Sequence, residues 1–81
     1  MTPPLERRFG RVVRDARIHR GWSQEALAEV ANLNRSYLGE IERGEVTASL
    51  ATAQKLADAL SLLLSALLSQ CEVVEEERLR A

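Results

Sequence analysis

The ten residues NRSYLGEIER, Asn34 to Arg43, carry polar side chains at a spacing suited to recognition by hydrogen bonds rather than to bond making. Wound as a helix, the segment turns Leu38 and Ile41 to one side with the Tyr37 ring beside them. Arg35, Ser36, Gly39, Glu40 and Arg43 then share the opposite, outward side. An arginine donates two hydrogen bonds at once, a pattern that guanine O6 and N7 accept in the major groove of duplex DNA. A serine donates or accepts, and a glutamate accepts from the cytosine amino group while repelling phosphates. Gly39 leaves room for close approach, and the Tyr37 hydroxyl suits a sugar-phosphate contact or none. Arg43, at the helix end, suits either a phosphate or the carbonyl-rich helix terminus.

Covalent chemistry has little support. His19 is the only histidine and Cys71 the only cysteine, far apart in the chain and without an acid or amide spaced for a triad. No Cys/His cluster offers a zinc site and no glycine-rich loop offers a phosphate cradle, so we expect no metal, no cofactor and no enzymatic activity. His19 reads as a surface residue at a helix end.

Positioning that outward face requires short helices and tight turns. Leu5, Phe9, Val12, Val13 and Ala16 form a stripe at helical spacing, predicting helix one over 5–20, with Arg7, Arg11 and Arg14 opposite. Gly21 ends it. Ser23 caps helix two, which runs to about Ala31 with Leu27, Ala28 and Ala31 inward. Asn32 tolerates the left-handed conformation that stops a helix, Leu33 plugs the core, and Asn34 caps helix three. Gly44 closes helix three. Ser49 caps helix four, with Leu50, Ala53, Leu56, Ala57 and Leu60 as its stripe, and helix five covers roughly 63–69. A break this short between helices two and three sets them at a steep angle and leaves one side of helix three exposed, as in a helix-turn-helix. An ordinary helical hairpin in a small bundle fits the same pattern.

Composition agrees with this architecture. The chain has 81 residues, room for one small domain, and its 46% hydrophobic content suffices for a core. With only 4% aromatics, that core must be built from Leu, Ala, Val and Ile, and the fold class is all-α. A lone cysteine forms no internal disulfide, which makes a reducing cytoplasm the expected location. The N-terminus has no apolar run of the signal-peptide kind, and the Leu-rich stretch at 60–68 is broken by serines and too short to span a bilayer. The net charge of −1 hides an asymmetry. Residues 1–20 hold six arginines against Glu6 and Asp15, whereas Glu72, Glu75, Glu76 and Glu77 dominate the other end. Local charge steers binding more than the total does, although both ends also read simply as solvated faces.

The run GWSQEALAEVANLNRSYLGEIERGEVTASLATAQKLADAL, within a match extending from about Phe9 to Leu68, resembles the phage-repressor-like (Xre/Cro) helix-turn-helix family. Ser23-Gln24-Glu25, Leu27-Ala28, the segment from Tyr37 to Gly44, and Leu56-Ala57 with Leu60 carry the likeness. It implies a compact five-helix, lambda-repressor-like domain over 1–69, followed by an acidic tail over 70–81. That tail is open to three forms: a longer helix five, an edge strand, or disorder. The resemblance further implies a phosphate contact from Gln24, where a helix N-terminus attracts anions. With that geometry, the chemistry of the residues sets Arg35, Ser36, Gly39 and Glu40 against bases and Asn34, Tyr37, Arg43, Arg14 and Arg20 beside Gln24 against the DNA backbone, with Arg14 and Arg20 otherwise reading as solvated. An arginine and a glutamate at the positions of Arg17 and Glu42 form a structural ion pair in the family. Four departures stand out. Asn32 and Ser61 replace the usual glycines, Ala48 a common proline, and Glu45 a common basic residue.

Specific reading of double-stranded DNA by so small a module calls for two copies on an inverted repeat with half-sites about 34 Å apart. Leu62, Leu63, Leu64, Leu67 and Leu68 give helix five more apolar surface than one core needs, with Leu67 and a neighbour or two covering the core. Leu63, Leu64, Leu67 and Leu68 are the expected homodimer interface, unless all face inward in a monomer; Val73 and Val74 in the tail add to it. The expected function is that of a small bacterial or phage transcriptional regulator, a repressor or a controller of its own operon. The alternative is an antitoxin-type module that holds a toxin and binds DNA secondarily.

Overall fold

The computed structural model describes residues 2–72, so expectations for 73–81 lie outside the described residues. Five helices follow in order: α1 (Leu5–His19), α2 (Gln24–Ala31), α3 (Arg35–Glu42), α4 (Leu50–Ala59) and α5 (Leu64–Cys71). Helix five thus starts at Leu64 and runs two residues beyond Ser69, because Cys71 is itself a core residue.

Side-chain caps begin three of these helices. The Ser23 hydroxyl accepts from Ala26 N–H at 3.0 Å and the Ser49 hydroxyl from Thr52 N–H at 3.1 Å. Asn34 Oδ1 accepts from Ser36 N–H at 2.8 Å and from Tyr37 N–H at 3.3 Å. Each satisfies donors that a helix start leaves orphaned. One device ends the first four helices. A left-handed residue lets the next N–H reach back five positions, as in Trp22 to Arg17 O, Leu33 to Ala28 O, Glu45 to Glu40 O and Leu62 to Ala57 O. The residues that bend are Gly21, Asn32, Gly44 and Ser61, at φ of 75°, 56°, 73° and 57°.

Val13, Leu27, Leu38, Ile41, Leu56 and Leu67 are wholly buried at the centre, each contributing about 1.5–3 kcal/mol through apolar burial. Two expected stripe residues stay outside it. Leu5 is 55% and Leu50 74% exposed, because each opens its helix and overhangs the core edge. They line an apolar hollow with Phe9, Ala53 and Leu68. Helix α1 crosses α3 through Gly10, where a Cβ would collide with the backbone carbonyl of Ile41 and lie 2.7 Å from that of Glu42. Gly10 sits mid-helix, where glycine costs about 0.5–1 kcal/mol relative to alanine; the close crossing is what it permits.

Two substitutions check this account by urea unfolding. Gly10→Ala should lose about 3 kcal/mol by overpacking the crossing. Ser61→Gly should gain about 0.5–1 kcal/mol, since glycine occupies a left-handed position without the steric penalty that serine meets.

Candidate nucleic-acid interface

Where the end of α3 meets the last turn of α1 and the start of α2 lies a buried ion pair. Arg17 Nε donates to Glu42 Oε2 at 2.9 Å and Arg17 Nη2 to Glu42 Oε1 at 3.0 Å, with the side chains 12% and 1% exposed. Arg17 Nη1 donates to the Trp22 carbonyl at 2.9 Å, and Gln24 Nε2 donates to Glu42 Oε1 at 3.0 Å. One carboxylate thus ties the end of α3 to the last turn of α1 and the first residue of α2. Every guanidinium nitrogen and both carboxylate oxygens are engaged, the condition under which a buried pair is tolerated.

Above this network, Gln24, Arg35, Ser36, Gly39, Glu40 and Arg43 line a single open concavity. Arg35 and Ser36 are exposed at its N-terminal end, and Glu40 is half-buried. Gly39 is buried because the Arg43 side chain folds back over it, so that a Cβ there would meet Arg43 Nη1 at 3.0 Å. Tyr37 packs half-buried against the core, and Asn34 stays exposed with its oxygen committed to the cap.

Three site residues differ from the expectation of a free contact. The Gln24 amide is drawn to Glu42, to which it donates one of its two hydrogens. Arg43 is clasped by Glu45, Nε to Oε2 at 2.6 Å and Nη2 to Oε1 at 3.4 Å. The hydrogen bond and charge of Arg43 hold the Glu45 carboxyl below its ordinary range, and Glu45 in turn raises Arg43. Arg20 lies apart from the concavity: it donates to the Leu60 carbonyl at 3.0 Å and stacks 4.5 Å over Trp22, because the α1 C-terminus turns toward the α4–α5 junction. Arg14 lines a neighbouring basic hollow with Arg7, Arg8, Arg11 and Arg43.

On helix five, Leu63 is 75% exposed while Leu64 and Leu68 are half-buried. Leu67 is fully buried in the core of the single chain, which removes it from any interface. Cys71 is also enclosed, its Sγ donating to the Leu67 carbonyl at 3.3 Å, and burial pushes its thiol up, away from the reactive thiolate. Exposed His19 and buried Cys71 sit in different surroundings, and no metal-sized cluster of His, Cys, Asp or Glu occurs among the described residues. No single described helix is long and apolar enough to cross a membrane; α4 and α5 meet at 107°.

Short capped helices, a left-handed turn and a polar face over a buried ion pair define a helix-turn-helix module. The helix-turn-helix family profile matches residues 13–67, and the chain belongs to that Xre-like family of DNA-binding regulators. It is 39% identical over 69 residues to the immunity repressor protein of Bacillus phage phi105, covering 85% of this chain and 48% of the repressor. The chain therefore spans about half the length of that relative. It is 38% identical to control protein C.BamHI of Bacillus amyloliquefaciens, covering 76% of this chain and 78% of the control protein. Among solved structures, the restriction-modification controller protein C.AhdI of Aeromonas hydrophila superposes with a TM-score of 0.74 at 42% identity. That match covers 76% of this chain and 94% of C.AhdI.

The buried pair generates a direct expectation. Glu42→Gln should lower stability by about 3 kcal/mol in urea unfolding, because Arg17 is left charged and unpaired in a mostly buried site. Melting at the wild-type temperature would show that the pair does not hold α3 in place.

Proposed function

We propose that this protein is a sequence-specific double-stranded DNA-binding transcriptional regulator that acts as a homodimer on an inverted repeat. The observation that carries the reading is the concavity in which Arg35, Ser36, Gly39 and Glu40 of α3 meet the start of α2. In this reading α3 enters the major groove, Arg35 pairs with a guanine edge, and Ser36 and Glu40 contact neighbouring bases across the gap left by Gly39. Asn34, Tyr37, Arg43 and Arg14 meet the sugar-phosphate backbone. With one Gln24 amide hydrogen given to Glu42, the phosphate contact at that position is shared by its second N–H and the unpaired N–H groups opening α2. Arg20 keeps its local role against Leu60 and Trp22.

The dimer forms through helix five. Exposed Leu63 and half-buried Leu62, Leu64 and Leu68 supply its apolar contacts, and an isologous pairing places two α3 helices on successive turns of one duplex face. The DNA-binding unit then extends to Cys71, the last core residue of α5. Similarity to a phage repressor and to restriction-modification controllers favours a small regulator of its own operon, working in the cytoplasm.

Selection from random duplexes, followed by fluorescence anisotropy, tests the proposal. An inverted repeat should be enriched, and Arg35→Ala should relax one position in each half-site at a cost of about 1–3 kcal/mol. Enrichment of no sequence sinks it. Glu45→Gln should free Arg43, tighten binding to any duplex several-fold and steepen the dependence of log K on log salt by about 0.9.

A further inference from the structure

The concavity on α3 is not the only surface lined by arginines. Arg7, Arg11 and Arg14 recur at i, i+4 and i+7, so they line one side of α1 over about 10 Å. All three are exposed, and among the described residues none forms an ion pair or a side-chain hydrogen bond. Arg8 beside them is committed differently, donating to the Pro3 carbonyl at 3.1 Å. Like charges at this spacing destabilise a helix, and no acid in the hollow relieves them. Glu42 is the one carboxylate lining it, and its oxygens are held by Arg17 and Gln24.

We infer that Arg7 and Arg11 extend the backbone contact proposed for Arg14 into a second phosphate-binding surface along α1, outside the helix-turn-helix, gripping the duplex backbone beside the bases read by α3. Two observations select duplex DNA among anionic partners. Arg43 lines both the hollow on α1 and the concavity on α3, so the two surfaces are continuous. Arg7 also lies against the end of α3, where a Cβ on Gly44 would approach its Cγ to 2.6 Å, so the ridge is held in fixed register with the recognition helix. A duplex with one charge per roughly 1.7 Å of axis presents anions along the whole of such a ridge. The inference rests on α3 being the groove-reading helix.

The test compares wild type with Arg7→Gln/Arg11→Gln/Arg14→Gln by anisotropy, on the selected duplex and on random duplex, from about 50 to 200 mM salt. The slope of log K against log salt should fall by about 2.7, with affinity at physiological salt reduced roughly 10–100-fold on both duplexes. Base preference should stay unchanged, and the corresponding triple lysine variant should recover the slope. Circular dichroism checks the fold; because Arg7 packs on Gly44, the double variant Arg11→Gln/Arg14→Gln provides a second measure, with an expected fall of about 1.8. A folded variant with the wild-type slope overturns the inference and leaves an acidic protein surface as the occupant of the ridge. Absence of any selected sequence would instead overturn the reading of α3, while the slopes on random duplex still decide the role of α1.

Discussion

The buried pairing of Arg17 with Glu42 is the constraint on which the rest of this small structure depends. The α2–α3 turn is stopped locally, by Asn32 and the Asn34 cap, but local stops do not fix the angle between α3 and its neighbours. The carboxylate of Glu42 does so from below, by engaging α1 through Arg17 and α2 through Gln24 at the same time. A hydrophobic contact has no direction, whereas two parallel N–H···O bonds do. Gly10 completes the arrangement by letting the α1 and α3 backbones come close enough for the pair to form.

Rigidity beneath α3 matters because the surface above it presents Arg35 and Ser36 as exposed side chains on a two-turn helix. Arg35 and Ser36 gain no positional support from burial. Their placement relative to any ligand is that of the α3 backbone, and that backbone is held at its start by Asn34 and at its end by Glu42 and the turn at Gly44. The hydrogen-bonding groups are thereby preorganised without being enclosed, which suits a partner whose recognition edges lie in a groove.

Much of this was legible from the chain. Caps at Ser23, Asn34 and Ser49, turns at Gly21, Asn32 and Gly44, and the two sides of α3 follow from rules that act within a few residues. What escaped depends on where separate helices meet. Leu5 and Leu50 obey the apolar period yet overhang the core, since periodicity says which side a residue faces and not whether the neighbouring helix extends that far. Leu67 was readable both as a cover for the core and as part of an interface, and the packing decides for the core. The diversion of Arg20 to Leu60 and of Gln24 to Glu42 joins positions 40 and 18 residues apart, beyond any local rule. Glu45 is a different case. Its departure from the family pattern was visible, and the tight turn after Gly44 is what brings it onto Arg43.

In the proposed complex with DNA, that clasp alters the thermodynamics of one contact. A cation that meets a phosphate ordinarily sheds mobile ions into bulk solution, and their dilution is the entropic gain that makes such contacts sensitive to salt. Arg43 carries its neutralising partner on the same polypeptide, two residues away. Exchanging Glu45 for a phosphate liberates an anion that remains tethered, so little dilution entropy is gained and the exchange depends chiefly on geometry. Arg43 then adds little adhesion wherever the phosphate sits out of place, and it keeps its discrimination when the ionic composition of the cell shifts.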